Sequence, residues 1–267
     1  CNPVAPVSLR CDSPARASGT DPDPWSPFDA PWFSTLDIAE GIPHSTTTAV
    51  VQDRSGLIWI GTIGGLVRYD GYRIEVLGTR SNNSPGLPDN YVRSLYALPD
   101  GGLLIGTNAG GLVRFDPGDN SFKVYPVGPQ GLSDHKVYAI SSDRAGGVWV
   151  ATEGGLDHLD LASGAIRRVD TGKATAARNF SVLQDRDGNV WLGNNNGLFV
   201  RRAGSDAFVR ETSTDQDAST VLGDQIWSIL QDRAGRLWAG SVQAGAAWRD
   251  ADDHWHGVPG FSGYANG

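Results

Sequence analysis

The chain should fold as an all-β propeller of four-stranded antiparallel blades, with five blades present. A tryptophan-centred segment, Val51–Thr62 (VQDRSGLIWIGT), returns in altered form around Leu104, Trp149, Trp191 and Trp238. From Trp59 the steps are 45, 45, 42 and 47 residues. A period of this size means one supersecondary unit repeated, and such a unit buries its apolar faces only against stacked neighbours. Each copy also sits among short β-branched or aromatic runs separated by Gly, Pro, Asn and Asp turns, the pattern of hairpin-linked strands. No stretch shows the 3.6-residue apolar spacing of a helix. The 35 glycines among 267 residues would be costly in helices.

Residues 1–31 form a Pro-rich segment ahead of the propeller, which takes residues 32–267. The repeats fall near 41–80, 86–125, 131–169, 178–210 and 222–258, and 260–267 has the look of a further blade beginning. The second copy is the clearest. Gly86–Asn90 is a turn, and Tyr91–Leu98 suits one strand. Pro99–Gly102 makes a tight hairpin, and Leu103–Thr107 is a continuously apolar second strand. Gly111–Asp116 is the third strand. Ser121–Tyr125, alternating polar and apolar, is a fourth with one wet face. The Trp of the second strands (Trp59, Trp149, Trp191, Trp238) are then packing residues between blades.

Strand alternation sorts the turns onto two faces of the disc. The Asp-Arg-x-Gly hairpins share one face. The Gly-Leu-Pro-Asp-Asn lead-ins and the Gly-Thr-x-x-Gly-Gly turns share the other, at the mouth of the central channel. That mouth gathers the candidate ligand-binding residues His44, Asp89, Asn90, Asn108, His135, Lys136, Glu153, Asn194, Asn195, Gln225 and Gln243. Polar side chains converging round an axial depression suit a small polar ligand. The competing reading is that each satisfies its own turn backbone.

A formal charge of −8 argues against nucleic acid, whose phosphates draw on clustered Lys and Arg. No apolar run of about 18 residues is present to span a membrane. The chain has no Met, which marks it as processed or cut from something longer. Its two cysteines, Cys1 and Cys11, could pair in an oxidising compartment, or Cys1 could carry lipid; alternatively the chain simply begins at a Cys.

The pattern Gly-Leu-Pro/Ser-Asp-x-x-Val, then Asp-Arg-x-Gly-x-Leu/Val-Trp-Val/Ile-Gly-Thr, then Gly-Gly-Leu-x-Arg-Tyr/Phe-Asp resembles the two-component regulator propeller repeat. Gly41–Tyr72, Gly86–Asp116, Gly131–Asp160, Arg178–Arg201 and Leu222–Asp250 carry it. The fourth copy lacks the usual lead-in, and the fifth replaces Gly-Gly-Leu by Ala244–Trp248. The resemblance implies a periplasmic sensor propeller of a bacterial membrane receptor, with a histidine kinase or diguanylate cyclase output outside this chain. It also implies a larger, seven-bladed ring. The expected partners are a small polar ligand, carbohydrate-like in character, or a second propeller copy in a membrane-anchored homodimer. No catalytic residue, metal or cofactor is assigned.

Metal-protease, phosphate-loop and nucleophile-elbow motifs are absent from the sequence. Asp185–Asn189 opens like a calcium loop, but Asn196 stands where the bidentate Glu should fall, so it reads as a hairpin. His254 and His256 alternate on an outer strand without an evident carboxylate partner. Two other classes stay open. One is a metal-dependent propeller enzyme of lyase or lactonase type, using His44, His135 and Glu153; the other is a protein-interaction propeller.

Overall fold

The computed structural model describes residues 35–78, 86–172 and 178–258. Cys1, Cys11 and the segment 260–267 lie outside these residues. The chain divides into two compact units at Thr35/Leu36, and the second holds all the strands below.

Five four-stranded antiparallel sheets follow one another along the chain, each with its strands in sequence order. Blade 1 is β1 Thr47–Gln52, β2 Ile58–Thr62, β3 Gly65–Tyr69 and β4 Ile74–Leu77. Blade 2 is β5 Val92–Ala97, β6 Leu103–Thr107, β7 Leu112–Asp116 and β8 Ser121–Val124. Blade 3 is β9 Val137–Ser142, β10 Gly147–Thr152, β11 Gly155–Asp160 and β12 Ile166–Val169. Blade 4 is β13 Asn179–Gln184, β14 Val190–Asn194, β15 Gly197–Arg201 and β16 Val209–Arg210. Blade 5 is β17 Ile226–Gln231, β18 Leu237–Ser241, β19 Ala246–Arg249 and β20 Trp255–Gly257.

The first strands β1, β5, β9, β13 and β17 pack side by side in that order, so they line the axis of a propeller. Among the described elements β1 and β17 share no comparable packing, and the fan is open between blades 5 and 1. Exposure agrees: Val50 on β1 is 65% exposed, whereas its equivalent Val182 on β13 is 6% exposed.

Core clusters bridge neighbouring blades. Trp59 of blade 1 packs with Val92, Leu103 and Phe115 of blade 2, and Trp149 packs with Val182, Val190 and Phe199 of blade 4. Trp191 joins Ile226, Leu237 and Trp255 of blade 5. The hairpin aspartate explains the fixed Asp-to-Trp spacing. Asp53, Asp185 and Asp232 each accept the indole N–H six residues on, at 2.8, 2.7 and 3.0 Å. The same carboxylates accept turn amides, from Leu57, Asn189 and Arg236 respectively. Asp185–Asn189 is accordingly a hairpin, with Asp185 also taking the Asp187 amide. In blade 3 Asp143 instead faces His158 at 2.7 Å, and the Trp149 indole crosses to Gln184 of blade 4.

The small residue two beyond the Trp has an equally specific role. A Cβ on Gly61, Gly106 or Gly193 would stand 2.6–2.7 Å from a methyl of Val92, Val137 or Ile226, the first inner-strand residue of the next blade. Blades thus nest at these glycines.

One expectation fails. A helix, α1 Gln216–Gly223, joins blades 4 and 5, although the chain seemed free of helical spacing. Asp215 caps it by accepting the Ala218 amide, and Ala218, Val221 and Leu222 form its buried stripe. That stripe packs on β15, β18, β19 and β20. Two turns carry too short an apolar repeat to stand out beside the adjoining strand pattern.

Candidate functional site

Every inner strand carries a β-bulge at the same place. Pairing skips from Thr47 to Ala49 in β1, Val92 to Ser94 in β5, Asn179 to Ser181 in β13 and Ile226 to Ser228 in β17, and β9 shifts between Val137 and Ala139. A bulge leaves one residue unpaired and re-aims its side chain. The unpaired residues are Thr48, Arg93, Tyr138, Phe180 and Trp227. All five, with Tyr91, line one cavity of about 260 Å³ on the axis.

The cleft is aromatic with one cation. Phe180 and Trp227 stack with centroids 4.6 Å apart and planes 15° apart. Tyr138 meets Phe180 edge-on at 5.1 Å. Trp227 also meets Tyr138 edge-on at 6.3 Å and stays 47% exposed. The Arg93 guanidinium lies 4.4 Å from the Tyr91 centroid and 4.8 Å from that of Tyr138. Its Nε and Nη2 both donate to Asn108 Oδ1, at 2.9 and 2.6 Å.

Above the cleft, the residues before each inner strand and after each second strand meet in backbone pairs. The amides of Asn108, Glu153 and Val242 donate to the carbonyls of Tyr91, Lys136 and Gln225. Glu153 pairs with Lys136 through Oε2 and with Arg178 Nε through Oε1, the latter at 2.9 Å. The Lys136 hydrogen bond, then the charges of Lys136, Arg178 and Arg93, hold the Glu153 carboxyl below its ordinary range. The Arg178 amide donates to Asn195 Oδ1 at 3.0 Å. Thus Asn108, Lys136, Glu153 and Asn195 come together at the mouth, joined by Arg93 and Arg178.

The other sequence candidates sit in the surrounding turns. His44 Nδ1 accepts the Thr46 amide at 2.9 Å. Asp89 accepts the amides of Tyr91 and Ala109. Asn90 Oδ1 is buried with no hydrogen-bond partner. His135 is exposed, and its carbonyl accepts the Gly111 amide. Asn194 is fully buried and accepts the Asn196 amide. The Gln225 carbonyl accepts the Val242 amide. The Gln243 amide donates to Asp224. These groups organise the turns that carry the mouth.

Two further carboxylates lie near candidate residues. Asp157, on the strand after Glu153, is buried and accepts the amide and hydroxyl of Ser133. His256 does have a carboxylate partner, Asp250, at 2.7 Å, with His254 3.9 Å from the same group. Sequence spacing hid it because the Asp250–His254 hairpin folds the two together. Among the described residues no group of three His, Cys, Asp or Glu stands at metal-holding spacing.

Sequence reasoning passed over Thr48, Tyr91, Arg93, Tyr138, Phe180 and Trp227 as site residues. The five bulge residues share one signal, a constant offset from the lead-in turn at which residue type varies from Thr to Arg to aromatic; Tyr91, two residues before Arg93, lacks even that.

The family profile of the two component regulator propeller matches residues 41–64, 86–109, 131–154, 175–196 and 220–243. No curated protein matches. Among solved structures, the extracellular domain of BT3049 from B. thetaiotaomicron, assigned to a hybrid two component system, is similar with a TM-score of 0.58 at 21% identity. The match covers 87% of this chain and 38% of that one, so the chain spans about two fifths of that extracellular domain's length. Virginiamycin B lyase from Staphylococcus aureus is similar with a TM-score of 0.62 at 12% identity, over 82% of this chain and 72% of the lyase. The gluconolactonase XC5397 from Xanthomonas campestris gives 0.56 at 14% identity, over 77% and 71%. At these identities the likenesses show the propeller fold alone.

Proposed function

We infer that this chain, a propeller of five two component regulator propeller repeats, is the extracytoplasmic, periplasmic ligand-sensing part of a bacterial membrane signalling receptor. The axial cleft is its ligand site. The observation that carries this reading is the alignment of five bulges: each blade turns one residue of its inner strand onto the same cavity. Repeat identity and the likeness to an extracellular two component domain support the receptor assignment.

In this reading the chain binds and does not catalyse. Two groups that a lyase- or lactonase-type metal site would recruit are already committed, His44 to a turn amide and Glu153 to two cations. The five blades belong to a larger, seven-bladed ring in the parent protein. Ligand binding shifts the arrangement of two propeller copies in a membrane-anchored homodimer, and that shift reaches a kinase or cyclase output.

The test is calorimetric titration of the purified protein with a panel of small polar compounds, repeated on Trp227→Ala. Trp227 is half-exposed and its loss should leave the fold intact by thermal melting. Loss of binding in the variant is expected. A ligand that binds both proteins equally well would place recognition away from the axis and overturn the assignment.

A further inference from the structure

We propose that the axial cleft selects a carboxylate-bearing ring, with Arg93 holding the carboxylate and Trp227 the ring; this rests on the cleft being the ligand site. The orientation of Arg93 argues for it. Tyr91 and Tyr138 place their ring centroids 4.4 and 4.8 Å from the guanidinium carbon, and the donors of a guanidinium all lie in its plane. Asn108 Oδ1 takes the Nε and Nη2 edge and fixes the plane. What remains is the Nη1 end, a planar donor set matched to a planar acceptor, and a carboxylate is the common anion of that shape.

Charge points the same way. Arg93 is the one charged side chain lining the cavity among the described residues, and it has no carboxylate within ion-pair distance. Glu153, the nearest mouth carboxylate, is already shared by Lys136 and Arg178. Other carboxylates on this face, Asp89, Asp134 and Asp224, accept turn amides. An anion entering the cleft therefore meets a guanidinium with no direct ion-pair partner among the described residues, its charge felt only at longer range by Glu153.

Size and shape define the rest. The cavity of about 260 Å³ that these five blades line lies just under the range of about 300–1,000 Å³ usual for ligand sites and has room for a single ring. The Phe180–Trp227 stack, with Trp227 half-exposed, offers that ring an aromatic surface. The polar mouth of Asn108, Lys136, Glu153 and Asn195 suits a hydroxyl-rich body more than an arene, which favours a sugar acid.

Titration with galacturonate, galactose and benzoate separates the alternatives. Galacturonate should bind, galactose at least about tenfold more weakly, and Arg93→Gln should weaken galacturonate about 10- to 100-fold while changing galactose less than about twofold. Arg93→Lys should recover little of the loss, since an ammonium lacks the planar donor pair. Benzoate binding as tightly as galacturonate would keep the carboxylate assignment and move the ring class to aromatic acids. Galactose binding as tightly as galacturonate, with loss in Trp227→Ala but none in Arg93→Gln, would overturn the carboxylate assignment and leave the axial site standing. Failure of all three probes to bind would overturn this proposal, while a hit from the wider panel lost in Trp227→Ala would still sustain the axial site.

Discussion

The glycine two residues past the tryptophan offers a test of how the blades are held together. In Gly106→Ala the new Cβ would stand 2.2 Å from Ser94 Oγ of its own blade, and 2.6 and 3.0 Å from Val137 Cγ1 and Cβ, atoms of the next blade's inner strand. Valine is β-branched and stiff at χ1, so relief requires one blade to move from the other. Overpacking of this kind costs about 1–3 kcal/mol. The lower unfolded-state entropy of Ala returns about 0.4–1 kcal/mol, for a net loss centred near about 1.3 kcal/mol. For a domain of this size that is a fall of roughly 3–5 °C in Tm. Gly240 occupies the same position in blade 5, where its Cβ would likewise meet a serine hydroxyl of its own blade, Ser228 Oγ at 2.4 Å, which can rotate aside, but among the described residues no atom of a following blade. Gly240→Ala should therefore lie within about 0.5 kcal/mol of the parent. Neither glycine has positive φ, so backbone strain does not confuse the comparison. Thermal and urea melts followed by tryptophan fluorescence and circular dichroism would read both variants. Equal losses at the two positions, or none at Gly106, would refute the account of these glycines as contacts between blades.

Two further outcomes follow from the hairpin aspartates. Asp185→Ala strips the acceptor from the buried Trp191 indole and from two turn amides; at about 1–3 kcal/mol per orphaned buried donor it should cost at least about 2 kcal/mol by urea denaturation, and more than Asp100→Ala, where Leu104 replaces the Trp. The Asp232 carboxyl is pulled from its ordinary 3.8 to about 2, first by the Trp238 indole and also by Arg236. A depressed folded pKa means its stabilisation is present above about pH 4 and is lost as pH falls toward 2. Asp232→Asn should flatten that part of an acid-unfolding curve, and an unchanged curve would count against the interaction.

Blade number, strand limits and the two faces of the disc are legible in the residues alone. Hairpin chemistry such as Pro99–Gly102 and the apolar middle strands are local signals, and repetition multiplies each of them. Strand β6 falls at Leu103–Thr107 as the pattern predicts. Helix α1 was hidden because its stabilisation comes mostly from what it packs on, not from its own two turns. The mouth residues Asn108, Lys136, Glu153 and Asn195 were readable as polar groups following turns. The cleft beneath them was not. Whether Arg93 or Trp227 points at a neighbouring blade or at the axis depends on a one-residue slip in pairing between two strands, and such a slip reverses the direction of a side chain without altering composition or period. Alternation along a strand tells which residues share a face; only the assembled blades, each held in register by its neighbour, decide which single residue is turned toward the centre.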